Sequence, residues 1–449
     1  MAERTPKIQL ADILADAEAM AKRLSIEDCC ADLGRLMRFE PNLNEPIHRW
    51  FRYKEGFSCR LVEYLFKEHI ALVGSSISLL DPFCGVATSL LATEEILTRQ
   101  GFRSITLRGV EINPYVHFVA GTKMGWDRYD PAFIMRASAI ATNGLRLRAE
   151  PSQPTLSTIT NPRFIGSADL RELLELRDKA KVVSRGRPER QPLLLGVAAS
   201  AENIFNLRKD GRALRYSPKT RNSSVKDEVA ETWHMIAEDL QEKPERAGHI
   251  DYEIKLGDGR RADKMFANRR FDVILFSPPY LNNIDYTEVY KIELWLLEFL
   301  ASSQQMLAQR RRTFRSHPSI AFSEVPDAST ATIANLLGPS FKRLLHYASE
   351  VEKWRAKLFA CYFADMLRTL QGCSRLLKPN GRILLVIGNS VHGTGERPIP
   401  VAADLWTCKL APAAGLRVDS LLIGRQMHRR GIGSSLCRES VIVLSKKRP

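Results

Sequence analysis

No run of about 18–20 apolar residues occurs in the chain, so no membrane-spanning helix is expected. The opening stretch mixes acids and bases and lacks the apolar core of a secretory signal, which makes the cytoplasm the expected compartment. Eight cysteines, at 29, 30, 59, 84, 361, 373, 408 and 437, include no C-x-x-C pair and no regular spacing. Neither a zinc site nor a disulfide framework is expected, and no metal is assigned. No internal repeat is visible. Acids are in deficit: 51 Asp and Glu stand against 66 Lys and Arg, a net charge of +15 with histidines neutral. That balance favours partners rich in phosphate, with membrane headgroups the weaker alternative and a solvated cationic face the plainest reading.

What is present is ordinary globular material: 449 residues, 44% hydrophobic and 26% charged. Such a length suits two or three domain-sized units, or one large domain with an insertion. Residues 7–40 carry apolar side chains at helical spacing, among them Leu10, Ile13, Leu14 and Met20, interrupted near Asp28. A further helix is expected over 58–73, with Ser58 as its cap. Short apolar runs follow at 77–83, 105–112, 252–258, 271–279 and 381–390, separated in places by helical stretches at 87–99, 114–124 and 353–377. The alternation predicts an α/β fold with a doubly wound, mostly parallel sheet. Runs at 416–423 and 439–446 flank a connection rich in Gly and Arg and suit an antiparallel pair at one edge.

Some 140 residues separate the second and third strands, too many for one crossover. Within them, 181–221 hold ten Lys or Arg and three acids. The expected division is therefore an N-terminal helical segment (1–44), a first part of the sheet domain (45–129), a basic and partly mobile insertion (130–250), and a second part of the sheet domain (251–449).

Ligands in open α/β sheets bind beyond the carboxyl ends of the strands. The first strand runs into Asp81, Pro82, Phe83, Cys84 and Gly85, a small-residue turn that lets backbone and the next helix approach a ligand closely. The second strand ends in Glu111, an acid placed to hold ribose hydroxyls. Together they suggest a nucleoside-containing cofactor. The fourth strand delivers Ser277, Pro278, Pro279 and Tyr280. Two prolines remove N–H donors and stiffen the backbone, leaving a hydroxyl and a carbonyl as acceptors beside an aromatic face. Such a set suits the exocyclic amino group of a stacked base.

These two motifs together resemble the S-adenosyl-L-methionine (AdoMet)-dependent amino-group DNA methyltransferases, which pair F-x-G-x-G with [DNS]-P-P-[YFW]. The likeness extends to 48–58, to LGDGR at 256–260, to 280–299, to 374–390 and to 438–446. It implies a seven-stranded methyltransferase sheet ending in an antiparallel hairpin, AdoMet as cofactor and duplex DNA as partner, its target base flipped out. By the same resemblance Phe83, Cys84 and Gly85 line the AdoMet pocket, next to Asp81 and Pro82. Glu111 would hold the ribose, Asp258 the adenine, and Tyr53, Phe57 and Ser58 the methionyl end. Ser277 and Pro278 would orient the target amine, and Tyr280 would stack on its base. Ala87 stands where the family has its second glycine, a small change.

The Ser of SPPY favours cytosine N4, with adenine N6 the alternative. No Pro-Cys dipeptide occurs, which excludes a C5-cytosine mechanism. Arg310, Arg311 and Arg312, and Arg425, Arg429 and Arg430, are the candidate phosphate contacts. An RNA methyltransferase, a nucleic-acid-binding protein without activity and a nucleotide-dependent oxidoreductase are the other readings; nothing in the last calls for SPPY. No nuclease signature stands out, so any companion restriction or defence protein would be a separate chain. Oligomeric state stays open.

Overall fold

The computed structural model describes residues 8–210, 213–243, 245–246, 248–282, 284–318, 327–393, 396–427 and 436–447. Eight strands form the main sheet: β1 (Ile26–Asp28), β2 (Ser76–Asp81), β3 (Ser104–Glu111), β4 (His249–Leu256), β5 (Phe271–Phe276), β6 (Leu377–Gly388), β7 (Leu416–Gln426) and β8 (Arg438–Lys446). Their spatial order is β1-β7-β8-β6-β5-β2-β3-β4. Pairing is parallel from β6 through β4, while β8 runs antiparallel to both β6 and β7. The fold class is the expected one.

Apolar runs make β2, β3, β5, β6 and β8 because both faces of the sheet are covered there; the expected buried strand at 252–258 is instead part of β4, an edge strand with none of its residues fully buried. Alternate residues enter opposite layers: Leu79, Val273, Leu275, Leu384 and Val386 belong to one core, and Leu80, Ile274, Phe276, Leu385 and Ile387 to the other. Helices Cys59–His69, Thr88–Arg99 and Pro114–Met124 cover the first face, and Lys353–Leu376 with Ala403–Leu410 cover the second. Ser58 caps Cys59–His69 by accepting from the Arg60 N–H at 3.1 Å, as its sequence position predicts.

Two expectations change. The N-terminal segment is not wholly helical: β1 extends the sheet to eight strands by pairing with β7, Ile26 opposite Leu421. Its three residues carry too little pattern to read, and the partner lies almost 400 residues away. The insertion is packed in, with helices Pro131–Asn143, Ser167–Val183, Arg190–Ile204 and Val225–Glu242 contributing Ile134, Leu173, Leu195 and Trp233 to the first core. Asp239, fully buried, accepts from the Ile47 N–H (2.8 Å), the Trp50 indole (2.9 Å) and the Arg49 guanidinium. The block is thereby tied to the segment that precedes the site. Much of its basic charge is spent internally, Lys181 on Glu298, Arg221 on Asp169 and Lys209 on Glu293. Among the described residues no helix is long and apolar enough to cross a membrane.

Candidate active site

The strand order reverses between β2 and β5, and a cleft opens there beyond the carboxyl ends. It is lined by Tyr53, Phe57, Asp81, Pro82, Phe83, Cys84, Gly85, Glu111, Asp258, Ser277, Pro278 and Pro279, twelve of the residues singled out from sequence.

The glycine turn is held from three sides. The Asp81 carboxylate accepts the Phe83 N–H at 2.9 Å and the Ser89 hydroxyl, while Cys84 N–H reaches the Val110 carbonyl at 3.0 Å. Gly85 has φ +51°, and a side chain there would press on the Tyr53 ring. Gly259 is required for a different reason: a Cβ would lie 1.9 Å from the Pro82 carbonyl oxygen. Ala87 occupies the left-handed region at φ 65°, so it is a strained substitute for glycine rather than only a narrower one.

At the end of β3, one oxygen of Glu111 accepts the Asn113 N–H at 2.7 Å. Burial raises its pKa to about 7, against backbone N–H groups that pull it down. Burial likewise pushes Asp81 to about 7. Asp258 caps the turn Gly259–Arg261 and is clasped by Arg260 at 2.9 Å, which also reaches Asp365 at 2.7 Å. Four buried polar atoms on the cleft wall have no hydrogen-bond partner among the described residues: Thr88 Oγ1, Asn113 Nδ2, Thr287 Oγ1 and His317 Nδ1. His317 Nδ1 stands 3.8 Å from Asp285, beyond hydrogen-bond reach. Unsatisfied groups on that scale mark a place for a polar ligand, and they fit a nucleoside carrying hydroxyl, amino and carboxylate groups.

Across the cleft the Ser277 hydroxyl donates to the Tyr280 hydroxyl at 3.2 Å, which leaves its lone pairs for an incoming N–H. Tyr280 itself does not line the cleft; it faces an adjoining hollow, and its ring packs against Gly388, where a Cβ would meet it at 2.6 Å. Glu55, Gly56, Phe57 and Tyr286 line both spaces. The Tyr53 ring stacks on Tyr290 at 5.4 Å, Tyr290 donates to Glu55, and the insertion's Lys209 lies 4.3 Å above the Tyr290 ring.

Other residues are placed differently from their sequence assignment. Ser58 is fully buried and serves as a helix cap, not as a wall of the cleft. Arg310 is paired with buried Asp285, and Arg425 with Glu439 at 2.8 Å, so neither is a free surface cation. Arg311 and Arg312 are exposed. Arg429 and Arg430 lie outside the described residues. Thr287 and His317 escaped the sequence reading because they come from separate segments with no local motif. Asn113 carried a signal, since Asn before Pro opens the helix Pro114–Met124.

No family model matches the chain. Two curated relatives align over most of it. Type II methyltransferase M.AvaI of Nostoc sp. is 24% identical over 87% of this chain and 83% of its own length. Type II methyltransferase M.BsoBI of Geobacillus stearothermophilus is 26% identical over 85% and 81%. Both bear out the methyltransferase resemblance drawn from the motifs. A solved rRNA methyltransferase, aviRa from Streptomyces viridochromogenes, aligns over 91% of this chain and 92% of its own at 13% identity, with a TM-score of 0.30. So low a score adds nothing to the strand order.

Proposed function

We propose that the protein is a site-specific DNA methyltransferase that moves a methyl group from AdoMet to the exocyclic amino group of a base, cytosine N4 in particular. The observation that carries the reading is the cleft at the switch point, which joins Glu111 and the glycine turn on one wall to Ser277 and Pro278 on the other. The Type II methyltransferases among its relatives support a modification role within a restriction-modification system.

In this reading Glu111 accepts the ribose hydroxyls, the turn from Asp81 to Gly85 wraps the nucleoside, Asp258 meets the adenine, and Tyr53 and Phe57 close over the methionyl end. When bound, the cofactor supplies a sulfonium methyl already activated for displacement. The protein's task is alignment. An aromatic amine is a poor nucleophile because its lone pair is delocalised into the ring. Ser277 Oγ and the Pro278 carbonyl would accept its two hydrogens, favouring a pyramidal nitrogen and stabilising the positive charge that develops on it. The base reaches them only when turned out of the duplex, and the hollow beside Tyr280 has room for it. Exposed Arg311 and Arg312 are proposed to grip the phosphates.

Labelled AdoMet and unmodified plasmid DNA, followed by nucleoside mass spectrometry, test this directly. N4-methylcytosine is the expected product, and a protein that binds no AdoMet would overturn the reading. Ser277→Ala should slow methyl transfer by roughly 10²-fold or more while leaving AdoMet binding intact.

A further inference from the structure

The hollow next to the cleft holds a pair of charges that the methyl-transfer chemistry does not use. At the sheet edge Gly388 of β6 is opposite Glu439 of β8, and Glu439 is opposite Arg425 of β7. Glu439 is 8% exposed, and a Cβ on Gly388 would stand 3.4 Å from its Cγ and 2.6 Å from the Tyr280 ring. Ser277, Tyr280, Glu439 and Arg425 therefore form one continuous row. Arg425 Nη2 is 2.8 Å from Glu439 Oε2, and the Arg425 Nε is buried without a hydrogen-bond partner among the described residues. A fixed guanidinium with an unspent N–H, facing a hollow, is a donor array awaiting acceptors.

Cytosine supplies them. Beyond the amino group its pairing edge carries two adjacent acceptors, N3 and O2, matching two parallel N–H groups of arginine. Adenine offers N1 and then a C–H. From β5 to β7 the row spans three strand spacings, about 14 Å, and Tyr280, Glu439 and Arg425 line the same hollow above it. We propose that Arg425, held by Glu439, donates to N3 and O2 of the cytosine whose amino group rests on Ser277 and Pro278, and so sets the base specificity. This rests on the methyltransferase reading above.

The test begins with mapping the modified position on plasmid DNA. Oligonucleotides are then made with cytosine or 3-deazacytosine, which lacks the N3 acceptor, at that position. The wild-type protein should methylate the 3-deaza substrate at least tenfold more slowly. Arg425→Gln should lose at least tenfold on cytosine, with AdoMet affinity unchanged and no further loss on 3-deazacytosine. Arg425→Lys keeps the ion pair but not the two-pronged donor, and should stay impaired. Full activity in the Lys variant would mean that Arg425 merely neutralises Glu439; losses that multiply would mean that it grips phosphate; either overturns the proposal. So does a cost below threefold for 3-deazacytosine in the wild type, a measurement that holds even if both variants fail to fold. N6-methyladenine as product would refute Arg425 as a cytosine reader and leave methyl transfer standing, whereas no AdoMet binding would remove the parent reading instead.

Discussion

Glu111 offers the sharpest check on the cofactor wall. Its carboxyl has an ordinary value of 4.5 and is raised to about 7, first by burial, with the charge of nearby Asp81 adding to the shift. An acid whose pKa rises on folding binds its proton more tightly in the folded state. The stability this contributes is complete below about 4.5 and is lost as pH climbs through about 7. The full gap corresponds to about 3 kcal/mol, and the remaining solvent access of the partly buried side chain lowers the expected effect to about 1–3 kcal/mol. Glu111→Gln keeps an acceptor for the Asn113 N–H and removes the titration. In urea unfolding without AdoMet, the variant should match wild type near pH 4.5 and exceed it by about 1–3 kcal/mol at pH 8.5. Cofactor binding should move the other way. Ribose hydroxyls favour the ionised acid, so wild-type AdoMet affinity should rise with pH through about 7, while the Gln variant loses about 1–3 kcal/mol of affinity and the pH dependence with it. A variant that is less stable than wild type at pH 8.5, or that binds AdoMet with the same pH profile, would refute the reasoning.

Gly259→Ala should cost at least about 2 kcal/mol and weaken AdoMet binding, because its Cβ would fall 1.9 Å from a backbone oxygen that has nowhere to go; a calorimetric melt and a binding titration read both. Asp239→Ala should destabilise by about 3 kcal/mol, since it strips buried donors of Ile47 and Trp50 of their acceptor; limited proteolysis should then cut first within 131–242. At Ala87, relief of the left-handed strain on changing to Gly, about 1–2 kcal/mol, is offset by the entropy of the unfolded chain and one lost buried methyl. Ala87→Gly should accordingly be near neutral in chemical denaturation, and Ala87→Val, branched at the same φ, should lose about 2 kcal/mol or more.

Much of the molecule was legible along the chain because the signals are local. Apolar runs buried on two faces specify strands whatever their neighbours, and Asp81 to Gly85, Glu111 and Ser277 to Pro279 sit at strand ends that an open sheet gathers at one edge. Local too were the Ser58 cap and the helix starting at Pro114. Tyr280 was legible as an aromatic beside Ser277 but not as the wall of a separate hollow, since its direction depends on the absence of a side chain at Gly388, more than 100 residues on.

Charge was the least legible property. A run such as 181–221 reads as a basic surface, yet whether each cation is free depends on acids brought up by other elements: Glu293 for Lys209 and Asp285 for Arg310, and, across the terminal hairpin, Glu439 for Arg425. By itself the sequence determined the fold class, the turn and Glu111 on one wall of the cleft and the SPPY corner on the other, all carried by residues adjacent in the chain. Only the tertiary structure decided the eighth strand, the docking of the insertion through Asp239, the orphaned polar atoms at Thr287 and His317, and which arginines remain unspent. Those features are set by pairing and ion contacts between residues far apart in sequence, and such contacts leave no period or motif in either partner.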